Sequence, residues 1–184
     1  IATSCFVPLA VGGGVKSIDD FSALLNLGAD KIIINTEAYD NPDLISIAAK
    51  KFGSQCVVVS IDAKLGPDGS YETYTNLGSK KRSLEPKVWA KKAEDYGAGE
   101  IMITSIHKDG TLEGYDNKLN SVISGTVDIP VLVSGGAGRW QDFVDGVILG
   151  GGSAVCTTNI YHFTESSISS AKKYMKNKKI NVRI

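Results

Sequence analysis

Pro8-Leu-Ala-Val-Gly-Gly-Gly-Val-Lys-Ser-Ile-Asp-Asp-Phe21 returns later in the chain, altered but without a gap, as Pro130-Val-Leu-Val-Ser-Gly-Gly-Ala-Gly-Arg-Trp-Gln-Asp-Phe143. The offset of 122 residues superposes Pro8 on Pro130, Val11 on Val133, Gly13-Gly14 on Gly135-Gly136 and Asp20-Phe21 on Asp142-Phe143. It continues outward to place Gly28 on Gly150 and Tyr39 on Tyr161. Each copy reads as an apolar strand, a glycine turn and an amphipathic helix, so the chain contains a duplicated βαβ unit. At roughly 30 residues per βα unit the offset equals four units, and two such halves make an eight-stranded barrel of roughly 250 residues.

Around the repeat, short β-branched runs alternate with helical patterns. Strands are expected at 7–11, 31–35, 56–62, 100–104, 130–134 and 154–157, and helices at 17–27, 42–52, 85–96, 117–125, 140–149 and 167–176. Such alternation means a parallel sheet with crossover helices. The strands read as nearly continuous apolar runs, as where both faces of a sheet are covered. Ser17 with Asp20 forms a capping box, Asn41-Pro42 places a cap before a first-turn proline, and Gly28, Gly97 and Gly150 close their helices. A run at 71–75, following the Gly66-Pro67-Asp68-Gly69 turn, reads as a small hairpin inserted in one βα loop. Alternation alone leaves an open doubly wound sheet as a competitor; the duplication favours the (β/α)8 TIM barrel. Six strands are present. The expectation is therefore a single barrel domain over 1–184 that lacks its first two βα units upstream of Ile1 and is inactive alone.

The 184 residues are 42% apolar and 22% charged, enough to bury a substantial core, which excludes general disorder. Twenty basic residues balance twenty acidic ones, so neither nucleic acid nor an anionic membrane surface is an expected partner. Cys5, Cys56 and Cys156 are odd in number, have no CxxC spacing and lie in apolar stretches. They read as free thiols in a reducing compartment, and the expected location is cytoplasmic. No apolar run approaches the roughly 18 residues of a membrane helix.

In each repeat copy a glycine pair follows a strand and a polar pair ends the next one: Gly13-Gly14 with Asn35-Thr36, and Gly135-Gly136 with Thr157-Thr158. Glycines let backbone amides approach an anion, and two such cradles related by a pseudo-twofold axis suit a substrate phosphorylated at both ends. Asn35-Thr36, Asp62, Ser105, Ser134 and Thr157-Thr158-Asn159 are all expected to face the mouth at the C-terminal strand ends. Asp62 closes an otherwise apolar strand, where a carboxylate is costly unless it reaches that mouth, and is the candidate general acid/base. The alternative is a loop cap or a pair with Lys64. Asp109 lies in the loop after Ser105, able to meet a substrate hydroxyl or simply to form an Asp-Gly turn. His107 reads as a solvated loop histidine and His162 as structural; their spacing gives no metal site. Lys31 and Glu100, at strand starts, lie at the opposite mouth as a salt-bridge layer or a solvated rim pair. The lysines at 172, 173, 176, 178 and 179 complement a helix C-terminus.

Val11-Gly-Gly-Gly-Val15, Gly28-Ala-Asp-Lys-Ile32, Ile34-Asn-Thr36, Phe52-Gly-Ser-Gln55, Val59-Ser-Ile-Asp-Ala-Lys64, Gly97-Ala-Gly-Glu-Ile101, Thr104-Ser105, Asp109-Gly-Thr111, Gly114-Tyr-Asp116, Ser134-Gly-Gly-Ala-Gly138 and His162-Phe163 together resemble the cyclase subunit of imidazole glycerol phosphate synthase, over essentially the whole chain. The resemblance implies a (β/α)8 enzyme of histidine biosynthesis that needs no cofactor. It would receive ammonia from a glutaminase (glutamine amidotransferase) subunit docked at the N-terminal face in a heterodimer. It would use the ammonia to convert a bisphosphorylated ribulosyl-formimino aminoimidazole carboxamide ribonucleotide into imidazole glycerol phosphate and aminoimidazole carboxamide ribonucleotide. By the same resemblance Asp62 matches one of two catalytic aspartates. Gly14, Asn35 and Thr36 match one phosphate site, Gly110, Gly136, Thr158 and Asn159 the other, with Asp109 toward the substrate. Lys31 and Glu100 match two members of the charged gate at the ammonia entrance.

Three departures stand out. The second catalytic aspartate of the family and two further gate charges belong to strands that these residues do not include. The usual Ala-Ser at the second phosphate site is Thr158-Asn159, and the usual acidic residue at His107 is replaced. They keep two alternatives open: a paralogue delivering ammonia to a sugar acceptor in surface-polysaccharide synthesis, and a non-catalytic barrel that binds a glutaminase.

Overall fold

A computed structural model describes residues 4–158, 160–161 and 167–183. Six parallel strands form the sheet: β1 (Ala10–Gly12), β2 (Lys31–Ile34), β3 (Val57–Leu65), β6 (Glu100–Ser105), β7 (Val131–Ser134) and β8 (Ala154–Val155). They pair in that order, each with the next. Among the described residues the strand order does not reverse, so the switch point of a doubly wound sheet is not found there, and the arrangement is six consecutive units of a (β/α)8 barrel. The antiparallel strands β4 (Tyr71–Thr75) and β5 (Lys80–Lys81) extend from β3 as the expected insertion. The helices are α1 (Ile18–Asn26), α2 (Thr36–Asp40), α3 (Asp43–Phe52), α4 (Pro86–Asp95), α5 (Asn117–Ser124), α6 (Trp140–Ile148) and α7 (Ile168–Asn177).

Strand parity separates the two faces of the sheet. Ile32, Ile34, Val57, Val59, Ile61, Ala63, Ile101, Ile103, Val131 and Val133 are buried with Phe21, Leu44, Ile45, Trp89, Leu119 and Phe143. Each large side chain removed from water in this layer contributes about 1.5–3 kcal/mol. Of the alternate residues Val58 is buried, whereas Lys31, Ile33, Ser60, Asp62, Glu100, Met102, Leu132 and Ser134 are only half-buried. The continuous apolar runs had implied two covered faces; among the described residues the inner face is covered only in part.

The duplication is visible atom by atom at the helix starts. Asp20 Oδ2 accepts the amides of Lys16 and Ser17, each at 2.9 Å, and Asp142 Oδ2 accepts those of Gly138 and Arg139, each at 2.9 Å. The strand entries match as well. Lys31 N–H donates to Leu9 O at 3.2 Å, and Ser153 N–H donates to Val131 O at 2.8 Å.

Several boundaries differ from expectation for identifiable reasons. β1 begins at Ala10, not 7, because Pro8 has no amide and Leu9 N–H is taken by the Asp30 carboxylate at 2.8 Å. β3 runs past Asp62 to Leu65 because β4 pairs along it, Asp62 opposite Tyr74 and Leu65 opposite Tyr71. Asp62 therefore sits within a strand, not at its end. A short α2 follows Asn35 directly, and α3 is capped by Pro42, with Asn41 contributing only its carbonyl to Leu44 N–H at 3.1 Å. After α6 the left-handed residue is Gly151, one beyond Gly150. The Ser17–Asp20 capping box is present as read.

Candidate active site

Three cavities lie along the inner face. The largest, about 660 Å³, is lined by Gly13, Gly14, Asn35, Thr36, Ser60, Asp62, Asn76, Leu77 and Met102 among others. A second of about 130 Å³ is walled by Met102, Asp109, Gly110, Ser134, Gly135, Gly136, Cys156, Thr157 and Thr158. The third, about 480 Å³, lies at the N-terminal strand ends and includes Ala10, Lys31, Ile33, Val58, Glu100, Met102, Pro130 and Leu132. Met102 lines all three.

The residues singled out in the sequence thus fall into three groups. Asp62 shares its cavity with Gly14, Asn35 and Thr36. Asp109, Gly110, Gly136 and Thr158 share the second. Lys31 Nζ pairs with Glu100 Oε1 across the intervening β3 at the far end. Asn159 and His162 lie outside the described residues.

The environment of Asp62 is unlike that of a surface carboxylate. Burial pushes its carboxyl above the ordinary range, a hydrogen bond from the Asn35 side chain pulls it back, and the Asp109 charge adds a smaller upward push. Coulombic influence from Asp109 links the two cavities electrostatically. A carboxyl shifted upward is better matched to giving and taking protons near neutrality. No ion pair joins Asp62 to Lys64 among the described residues.

The two glycine cradles are not equivalent. Gly13 and Gly14 have φ of 103° and 73°, and a Cβ built on either meets nothing within 4 Å. Their backbone is open to an approaching ligand. Gly135 and Gly136 have φ of 91° and 110°, but a Cβ at Gly136 would lie 2.3 Å from Gly114 O, and one at Gly135 2.6 Å from Ser105 O. Here the missing side chain also lets the turn pack against the β6–α5 connection, where Gly114 N–H donates to Gly136 O at 2.7 Å.

Ser105 and His107 correct the expectation. Ser105 is fully buried on the helix-facing parity, opposite Ala63, and Thr104 holds the inner position. His107 is not simply solvated: Nδ1 lies 3.3 Å from Ser105 Oγ and Nε2 3.7 Å from Asp116 Oδ2. Asp116 also accepts Tyr71 O–H at 2.8 Å and caps α5 through Leu119 N–H at 3.0 Å. Burial and that carboxylate raise the Tyr71 hydroxyl, so it stays a donor. The cluster ties the hairpin to α5 beside the site.

Sequence reasoning missed Met102, Ser60, Asn76 and Leu77. Inward parity along Glu100–Ser105 would have found Met102. Asn76 and Leu77 reach the cavity through the path the hairpin takes after β4, which no local signal encodes. Cys5, Cys56 and Cys156 are free and half-buried, and burial pushes the Cys156 thiol up to about 11. No group of three His, Cys, Asp or Glu side chains suited to a metal ion occurs among the described residues, and no helix there is long and apolar enough to cross a membrane.

Comparison with known proteins identifies the family. Residues 1–167 match the family model described as histidine biosynthesis protein. The protein named imidazole glycerol phosphate synthase subunit HisF from Hydrogenobaculum sp. (strain Y04AAS1) is 47% identical over 184 residues, covering 100% of this chain and 73% of the relative. The protein of the same name from Dehalococcoides mccartyi (strain ATCC BAA-2100 / JCM 16839 / KCTC 5957 / BAV1) is also 47% identical over 184 residues, covering 100% of this chain and 72% of the relative.

Proposed function

The chain belongs to the histidine biosynthesis protein family, and from that premise we propose that it serves as the ammonia-using cyclase subunit of an imidazole glycerol phosphate synthase. The observation that carries the assignment of roles is the placement of Asp62 in one cavity with Gly14, Asn35 and Thr36, next to a second cavity with Asp109, Gly110, Gly136 and Thr158, with Met102 as the common wall. A substrate phosphorylated at both ends places one phosphate on each glycine turn and its reacting centre between them, beside Asp62. As ammonia adds and the imidazole ring closes, nitrogen must lose protons and a departing group must gain one. Asp62, with its carboxyl raised by burial, takes and returns such a proton. Asn35 orients that carboxyl, and Asp109 holds a substrate hydroxyl or ring nitrogen.

Ammonia comes from a glutaminase subunit bound at the N-terminal strand ends. Lys31 and Glu100 stand at that entrance, and the 480 Å³ cavity leads from them to Met102. The three free cysteines support a reducing, cytoplasmic setting for the pair of subunits. In a chimera that joins this chain to the remaining length of the Hydrogenobaculum relative, Asp62→Asn should lower ammonia-dependent turnover by about 10²–10⁴ while substrate still binds. Unchanged turnover would remove Asp62 from the mechanism.

A further inference from the structure

The β4–β5 hairpin does more than extend the sheet. Its turn, Asn76-Leu77-Gly78, carries three successive positive φ angles, 52°, 57° and 77°, and Leu77 is fully exposed at the rim of the Asp62 cavity. Left-handed backbone at Asn and above all Leu is unfavourable on its own and persists only where the surroundings hold it. Directly beneath lies α2, whose five residues are too few to be stable as an isolated helix.

Arg82 joins them. Its side chain is largely buried: Nε donates to Thr75 Oγ1 at 2.6 Å, immediately before the turn. Nη2 lies 2.7 Å from Asp40 Oδ1 at the end of α2, a charge contact outside hydrogen-bond geometry, and the guanidinium sits 4.8 Å over the Tyr39 ring. At the other end of α2, Asn76 N–H donates to Thr36 Oγ1 at 3.1 Å. Accepting that bond occupies one lone pair of the Thr36 hydroxyl and so restricts the directions in which its proton can donate, and Thr36 lines the cavity that holds Gly14 and Asp62.

We propose that Arg82 is a positioning residue for phosphate recognition: by fastening Thr75 to α2 it fixes the Asn76 turn, and through it the donor direction of the Thr36 hydroxyl. The inference rests on the phosphate reading of the Asp62 cavity. Contacts of this kind, one step removed from a ligand, shift affinity by about two- to thirtyfold.

The test is an inorganic phosphate titration of the chimera with the Hydrogenobaculum relative, followed by the amide NMR signals of Thr36, Asn76 and Gly136. Arg82→Gln should weaken the phosphate response at Thr36 and Asn76 by about three- to tenfold and leave that at Gly136 unchanged. Arg82→Lys, which keeps a cation opposite Asp40 but loses the fork that also reaches Thr75, should recover part of the affinity. Thr75→Val, nearly isosteric and independent of any change in charge, should weaken binding likewise and add little on top of Arg82→Gln. Equal affinity at Thr36 in the parent and all three variants would overturn the role of Arg82 alone. No response at Thr36 in the folded parent would overturn the phosphate reading and this inference with it.

Discussion

Placing alanine at Gly14 and at Gly136 separates two reasons for a glycine that look identical in the sequence. At Gly14, φ is 73° and the space beyond is empty, so alanine costs only the left-handed backbone, about 1–2 kcal/mol. At Gly136, φ is 110° and the new Cβ lies 2.3 Å from Gly114 O and 3.0 Å from Gly114 C. Backbone cannot rotate aside as a side chain does, so overpacking of about 1–3 kcal/mol adds to backbone strain of about 1–3 kcal/mol. Separating the two turns also endangers the Gly114 N–H to Gly136 O bond of 2.7 Å, a further ~1 kcal/mol. Gly136→Ala should thus destabilise by about 3–7 kcal/mol, roughly three times the effect of Gly14→Ala. Urea midpoints of the two variants at equal slope measure the difference. In the chimera both should raise KM for a doubly phosphorylated substrate, since each disturbs one anchor. Equal midpoints would refute the close approach at Gly136, and a KM effect from only one variant would refute the two-cradle reading.

Asp62→Asn also makes a statement about pH. The folded-state carboxyl is raised, so the native protein holds its proton more tightly than the unfolded chain does, and the ionised form costs stability as pH rises through that range. The uncharged amide of Asp62→Asn should therefore raise the urea midpoint at pH 7, with the gain shrinking as pH falls through the raised folded-state range and gone below the unfolded value of about 3.9; a lower midpoint at pH 7 would show that the ionised carboxylate is stabilising. Lys31→Ala or Glu100→Ala in the complex of chimera and glutaminase should lower glutamine-dependent turnover severalfold or more and spare turnover with ammonium salt. Equal loss from both nitrogen sources would reduce the pair to a structural ion pair. Ser17→Ala removes the hydroxyl that accepts Asp20 N–H at 3.2 Å and should cost about 1 kcal/mol, read as a fall in Tm of about 2–4 °C, whereas an unchanged Tm would mean that Asp20 alone caps the helix.

What could be read from the residues was whatever is encoded locally or twice. The 122-residue repeat carries strand, glycine turn and acidic cap together, so an accidental match at one position is corrected at the next, and Asp20 and Asp142 do the same work in both copies. Asp62 could be found because a carboxylate is conspicuous in an apolar run. The misjudged features depend on distant partners. Ser105 was placed in the mouth by proximity to a strand end, but pairing with Ala63 fixes its parity outward. β3 outran its expected end because the strand that prolongs it comes later in the chain. Asn76 and Leu77 reach the cavity only through the path of a hairpin, and His107 finds Asp116 only after the loop between them has closed.

Met102 has a consequence for how the interior divides its space. One thioether side chain is a common wall of all three inner-face cavities, the one at the N-terminal strand ends and the two that hold Asp62 and Asp109. It is unbranched, with three rotatable bonds, and can change rotamer without moving the strand that carries it. A rotamer that widens one of these cavities reshapes the wall of the other two. A change in packing at this one position therefore alters the walls of cavities at both ends of the strands together.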